Sequence, residues 1–272
     1  MKTITCILAG ACLLMACQTP PVYYKYTRLG LERLQAQEAA KSISYFTSAI
    51  KANPRSPEAY VYRAQAEAAL GEYAEALADC DSALSLNHDC IQAYVQRGNV
   101  EFLSSLFAQA MQDYTLAVAL NPRLAEAYLN RGNARVRLHD PLGAIEDYGY
   151  AIQLKPNSPD AHYNRGVVRF DREDYEGAID DYTTALGTGH LSADLYYNRA
   201  AAHYKLKHYE EALIDIEKAK KDLPSHADAY KYRGKIKYAL GDTDGAVKDY
   251  QHSKNLHTKS TESYVNEVRD RR

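Results

Sequence analysis

One residue type returns along this chain at a fixed interval. Tyr60, Tyr94, Tyr128, Tyr196, Tyr230 and Tyr264 fall on a single step of 34 residues, His162 fills the remaining place, and Tyr26 extends the series backwards. The composition carries the same bias, with 24 Tyr against 4 Phe and no Trp. Such a period means that one small supersecondary unit is repeated, which restricts the chain to a stacked array. Units are counted from residues 23, 57, 91, 125, 159, 193 and 227. Position 8 is then always small: Gly30, Ala64, Gly98, Gly132, Gly166, Ala200 and Gly234. Position 20 is Ser42 and then Ala76, Ala110, Ala144, Ala178, Ala212 and Ala246. Position 24 is Phe46, Cys80, Tyr114, Tyr148, Tyr182, Ile216 and Tyr250. Positions 4, 8 and 11 share one face of a first helix, and positions 20, 24 and 27 one face of a second. Small residues at 8 and 20 let the two backbones approach while the rings fill the space beside them. Pro54, Pro122, Pro156 and Pro224, all at position 32, stop the second helix.

The period and these positions resemble the tetratricopeptide repeat. The resemblance implies an all-α fold, a right-handed α-solenoid of seven 34-residue helix-turn-helix repeats, at 23–56, 57–90, 91–124, 125–158, 159–192, 193–226 and 227–260. A C-terminal partial helix at 261–272 is expected to cap it. A lone hairpin cannot bury its apolar face, so neighbours must stack, with the first helices lining the concave side. A weaker junction is expected between the fifth and sixth repeats, where Gly187 and Gly189 fall in the last turn of a second helix and His190 replaces proline.

Position 7 carries Arg63, Arg97, Arg131, Arg165, Arg199 and Arg233, and position 23 carries Asp79, Asp113, Asp147, Asp181, Asp215 and Asp249. In the first repeat both are lost together, to Leu29 and Tyr45. Joint replacement is what a mutual contact produces, and arginine suits a forked bond to a carboxylate. These are expected to be structural ion pairs and not catalytic groups.

The first residues form an address. Lys2 gives a positive start, the apolar stretch from Ile4 to Met15 is too short to span a bilayer, and Ala16 is a small residue at a cleavage position. Leu14, Met15, Ala16 and Cys17 resemble the lipobox of bacterial lipoproteins, which implies a signal peptide over 1–16, a lipid on Cys17 and a linker over 17–22. Several acyl chains on one residue exceed the two signals that stable anchoring requires. The alternative is an ordinary cleaved signal with an incidental cysteine. Gln18 resembles outer-membrane sorting, facing the periplasm; the inner membrane and the cell surface remain alternatives. Cys80 and Cys90 are expected as free thiols, and Cys80, His88 and Cys90 match no zinc spacing, so no metal or other cofactor is expected.

A net charge of −2 with scattered basic residues leaves no footprint for nucleic acid. No nucleophile elbow, metal doublet or phosphate loop is present, so an enzyme is not expected. The expected partners are proteins or peptides in the concave groove, through Asn99, Asn130, Asn133, Asn164 and Asn198 beside Tyr163, Phe170, Tyr197, Tyr204 and Tyr238; the same residues also suit packing within the repeats. Repeats four to seven, centred on Tyr163, Tyr197 and Asn198, are the expected surface. Position 2 carries Glu58, Gln92, Glu126, Asp160, Asp194 and Asp228, a row that makes one rim acidic and also favours the helix dipole. The carboxylate clamp of some such proteins does not carry over, because Leu129, Asp194 and Asn198 hold its basic places. Three readings follow as expectations: first a membrane-anchored scaffold in the bacterial envelope, then a periplasmic chaperone or assembly subunit that binds many unfolded chains, and last an enzyme with an unrecognised site.

Overall fold

A computed structural model describes the backbone of residues 21–189, 192–222 and 227–270. The expected signal segment, Cys17, most of the linker, and the prolines' counterpart His190 lie outside the described residues. Among those described, fourteen helices are the regular elements. They run α1 (Pro21–Gln35), α2 (Ala39–Ala52), α3 (Pro57–Ala69), α4 (Tyr73–Leu86), α5 (Ile91–Leu103), α6 (Phe107–Leu120) and α7 (Ala125–Arg137). They continue with α8 (Pro141–Leu154), α9 (Pro159–Asp171), α10 (Tyr175–Gly187), α11 (Ala193–Lys205), α12 (Tyr209–Asp222), α13 (Ala227–Ala239) and α14 (Thr243–Asp270). The fold class is an all-α solenoid of helical hairpins. The chain divides into two compact units, one through Ala134 and one from Arg135. Each is taken by itself below.

In the first unit α1 pairs with α2, α3 with α4, and α5 with α6, and successive hairpins touch. The second unit repeats the scheme with α9 and α10, α11 and α12, and α13 and α14. Within a hairpin the two helices meet at positions 8 and 20, whose alanines are buried completely at Ala64, Ala76, Ala200 and Ala212. Position 8 answers to position 24. A Cβ on Gly98 or Gly166 would stand 2.7 Å from the ring of Tyr114 or Tyr182, and one on Gly30 would collide with Phe46. Where position 24 is the slimmer Cys80 or Ile216, position 8 is Ala64 or Ala200. The glycine is there because a ring occupies the space a methyl would need.

Every hairpin turn has one construction. Gln37, Gly71, Ser105, His139, Glu173, Lys207 and Gly241, all at position 15, adopt left-handed backbone with φ between 59° and 86°. In each, the amide of position 16 reaches back to the carbonyl of position 11, as Leu106 N–H does to Glu101 O at 2.8 Å and Asp174 N–H to Arg169 O at 2.9 Å. The amide of position 15 bonds the carbonyl of position 12, satisfying the orphaned end of the first helix. Asp140, Asp174 and Asp242 then cap the second helix, each accepting from the amide three residues on.

The C-terminus departs from expectation. No separate helix starts at 261; α14 runs unbroken for 28 residues, roughly 42 Å at 1.5 Å per residue. Thr258 stands where four of the other repeats have proline, which leaves the hydrogen-bond ladder free to continue there. At the junction expected to be weak, α10 ends on Gly187, Thr188 caps it, and Gly189 has φ +87°.

Candidate binding face of the first helices

The Arg and Asp rows meet as forks. Arg63 donates from Nε and Nη2 to both Asp79 oxygens at 2.6 and 2.8 Å, Arg97 to Asp113 at 2.7 and 2.8 Å, and Arg199 to Asp215 at 2.6 and 2.8 Å. Arg165 reaches Asp181 at 2.9 and 2.6 Å, and Arg233 forks onto Asp249. These aspartates are buried, so each pair ties its two helices together away from water. Arg131 belongs to the first unit and Asp147 to the second, where Arg135 Nη1 lies 3.3 Å from Asp147. The remaining guanidinium nitrogen has a use that the sequence did not suggest. Nη1 donates to position 25 of the preceding repeat: Arg63 to Thr47 at 3.1 Å, Arg97 to Asp81 at 2.7 Å, Arg199 to Thr183 at 3.0 Å and Arg233 to Glu217 at 2.6 Å. Each arginine thus closes its own hairpin and latches it to the one before. Arg165 meets Gly149 at that place, 3.9 Å from where a Cβ would stand. Asp181 instead gathers Arg165, Arg169 at 2.8 Å and His162 Nδ1 at 3.0 Å.

Position 11 differs in charge from repeat to repeat. It is Arg33 in the first repeat and Glu67 and Glu101 in the second and third; each glutamate keeps one carboxylate oxygen buried without a hydrogen-bond partner among the described residues. Burial, with Asp79 and then Asp113 as neighbouring carboxylates, pushes both carboxyls up to about 7. In the second unit Arg169 and Lys237 stand there and join the carboxylate of Asp181 or Asp249. His203 leaves Nδ1 buried without a hydrogen-bond partner among the described residues, and burial holds its imidazole below the ordinary range.

The first-helix face of the first unit is hollowed. A cavity of about 290 Å³ lies between α3 and α5, against Val61, Tyr62, Gln65, Gln92, Val95, Gln96 and Asn99, and is closed by Asn121, Leu124 and Glu126. A second, of about 210 Å³, is lined by Asn99, Phe102, Leu103, Tyr114, Asn130 and Asn133. Asn99 is the wall common to both; its carbonyl accepts from Tyr114 Oη at 2.8 Å and Asn130 Nδ2 at 3.0 Å. Seven amide side chains and one carboxylate, Glu126, therefore supply the polar lining beside apolar rings and branches. Amides donate and accept, which suits the alternating groups of an extended backbone. Gln65 and Gln96 were missed in the sequence, because only the asparagine ladder was conspicuous there, and Gln92 figured only as a member of the position-2 row.

In the second unit many of the expected groove residues are held by contacts within the fold. Asn198 Nδ2 donates to Tyr163 Oη at 3.1 Å, and Tyr163 packs on Tyr182 with ring centres 6.1 Å apart. Burial, followed by the Asp194 charge, raises the Tyr163 phenol above its ordinary range. Tyr197 and Tyr204 both lean on Tyr232, at 5.6 and 5.4 Å. Phe170 and Tyr204 do not project freely: at position 12 they clasp the ring at position 17 across the hairpin turn, Phe170 on Tyr175 at 5.3 Å and Tyr204 on Tyr209 at 5.5 Å. Tyr238 has Thr243 opposite and is 66% exposed. Asn164 lies on α9, half-buried. Cys80 and Cys90 are buried free thiols, and no group of three or more metal-ligating side chains occurs among the described residues. No described helix is long and apolar enough to cross a membrane.

Comparison with known proteins finds three repeat models along the chain. Models described as tetratricopeptide repeat match residues 27–92 and 193–226, and one described as TPR repeat matches 143–171. No curated protein matches. Among solved structures, a tetratricopeptide repeat protein of Parabacteroides merdae is similar with TM-score 0.61 at 21% identity, over 87% of this chain and 94% of that one. The Pseudomonas aeruginosa pilF structure gives TM-score 0.72 at 17% identity, over 79% and 97%. YrrB, described as a TPR protein with an unusual peptide-binding site, gives TM-score 0.57 at 25% identity, over 68% and 95%.

Proposed function

Because the chain is a tetratricopeptide repeat protein, we propose that it is a scaffold that holds an extended segment of a partner protein against the first helices of its N-terminal unit, anchored to a bacterial membrane by lipid on Cys17. The observation that carries the reading is the adjoining pair of amide-lined cavities that share Asn99. Their polar groups suit main-chain bonding, and their apolar patches, Val61, Val95, Leu124 and Phe102, suit side chains on alternate residues. YrrB, which has a similar fold, is described as having an unusual peptide-binding site, which is in keeping with a peptide ligand for this chain. The envelope setting, with the outer membrane's periplasmic face as the proposed location, rests on the lipobox-like run before Cys17. Binding, and not catalysis, is the work assigned to the chain. A lining that reads backbone demands little of sequence, which also supports the reading as an assembly chaperone with many clients.

The test is crosslinking pull-down from native membranes, comparing the intact protein with Gln65→Ala/Gln96→Ala. Loss of captured partners from the folded variant supports the groove, and unchanged capture places binding elsewhere. One or two folded partners indicate a scaffold, whereas many unfolded ones indicate a chaperone. Mass spectrometry of the mature N-terminus tests the anchor: an unmodified residue there, or undiminished membrane retention of Cys17→Ser, rejects it.

A further inference from the structure

The two edges of the first hairpin hold their cations differently. At the turn between α1 and α2, Arg33 Nη1 and Lys41 Nζ both bond the Glu38 carboxylate, at 3.0 and 2.8 Å. At the opposite edge, where α1 begins and α2 ends, Lys25, Lys51 and Arg55 are exposed and have no ion-pair partner among the described residues. Packing and one hydrogen bond gather that edge. Tyr23 is buried against Ala49 of α2 and Ala59 of α3, and its Oη lies 2.7 Å from Ser56 Oγ in the loop that carries Arg55. Glu58, the carboxylate nearest in sequence, accepts from Ser56 Oγ at 2.5 Å. Tyr24 meets the Tyr23 ring edge-on at 5.3 Å and remains 61% exposed, with Val22 exposed at the start of the same helix. The residue types also oppose a further hairpin stacked on this end. Position 3 is fully buried alanine at Ala59, Ala93 and Ala127 but exposed Lys25 here, and position 10 is buried Ala66 or Val100 but exposed Glu32 here. Covering Lys25 with another hairpin would strip water from an unpaired charge.

We infer that this edge of the first hairpin rests in the headgroup layer of an anionic bilayer. The inference rests on the lipid anchor proposed at Cys17. Pro21, where α1 starts, is four residues from Cys17, a span of about 14 Å at full extension. The tether therefore holds this edge at the bilayer, and not the turn, which lies about 20 Å further along α1. Charge sets the kind of lipid. A Lys or Arg within a Debye length of an anionic surface is drawn to it, and Lys25, Lys51 and Arg55 give up no internal partner in meeting phosphate. The sequence agrees, since its first acidic residue is Glu32, two turns beyond Lys25. Tyr24 suits the same layer, because a phenol places its ring toward acyl chains and its hydroxyl toward water.

The chain contains no tryptophan, so Tyr24→Trp gives a single fluorescent reporter. The lipidated full chain is reconstituted in phosphatidylcholine vesicles containing phosphatidylglycerol, with brominated lipid as quencher. Emission of Tyr24→Trp is expected to shift to the blue and to be quenched, whereas Leu116→Trp, an exposed site on α6 of the third hairpin, stays unquenched. Without acyl chains the edge acts alone. The Cys17→Ser chain should bind phosphatidylglycerol vesicles about tenfold or more tightly than pure phosphatidylcholine ones. Lys25→Gln/Lys51→Gln/Arg55→Gln should abolish that preference while circular dichroism stays unchanged. Mass spectrometry of Cys17 decides the anchor and the vesicle preference of Cys17→Ser decides the edge, so either reading can fail alone. An unquenched Tyr24→Trp reporter in the lipidated chain, or a preference that survives in the triple variant, would overturn the proposal. So would a reporter shielded from iodide yet unquenched by brominated lipid, the sign that a protein covers the edge.

Discussion

Glu67 shows how a single side chain can make the fold sensitive to pH. Its folded carboxyl titrates at about 7, above the 4.5 of the free group. The folded state therefore favours the protonated acid, so the contribution is fully present below pH 4.5 and is lost as pH rises through 7. Glu67→Gln should raise stability at pH 8 by roughly 1 to 3 kcal/mol and flatten the profile between pH 5 and 8, measured by urea unfolding. An unaltered profile would show that the carboxyl is ionised in the fold. Gly98 gives the second residue-scale expectation. Gly98→Ala should cost about 1 to 3 kcal/mol through collision with Tyr114, and Gly98→Ala/Tyr114→Ile, which copies Ala200 and Ile216, should recover much of it. The Arg and Asp rows were legible in the sequence because both members disappear together in the first repeat. The third bond of four of these arginines was not, since its acceptors, Thr47, Asp81, Thr183 and Glu217, mix hydroxyls with carboxylates and follow no single residue type.

At the scale of the helical element, hairpin lengths and faces were readable because one period governs them all. The turns were not. Position 15 is left-handed in every hairpin, yet only Gly71 and Gly241 announce it, and Gln37, Ser105, His139, Glu173 and Lys207 carry no local signal for positive φ. The geometry is imposed by the two reversed hydrogen bonds and the helix packing around them. Ser105→Gly should therefore stabilise the protein by about 0.5 to 1 kcal/mol, a gain visible as a higher urea midpoint with unchanged slope. Position 12 misled for a related reason: Phe170 and Tyr204 lie on the first-helix face by spacing, but a ring five residues later draws them into the turn. Helix α14 runs on where proline is absent at 258, but the lack of proline alone does not extend a helix, since α4 ends at Leu86 with His88 at the same position.

Across the whole molecule, stability in a repeat array is the sum of hairpins and the couplings between neighbours. The candidate site was half legible at this scale: Asn99, Asn130 and Asn133 do line a cavity, while in the second unit Tyr163, expected to be central, bonds Asn198, and Tyr197 packs on Tyr232. Gly149→Thr should supply Arg165 with the acceptor that Thr47 and Thr183 give to its counterparts, in space already open, and replace a mid-helix glycine. We expect a gain of about 1 kcal/mol in thermal or urea unfolding, abolished in Gly149→Thr/Arg165→Met; no gain in the single variant would remove the latch from the account. The same vacancy has a mechanical meaning. A chain tethered at one end and pulled at the other passes tension through its hairpin junctions in series, and rupture under tension follows the barrier of the weakest. The junction of Gly149 with Arg165 is where this protein should first lengthen, giving way as a compliant link while its other latched hairpins stay closed.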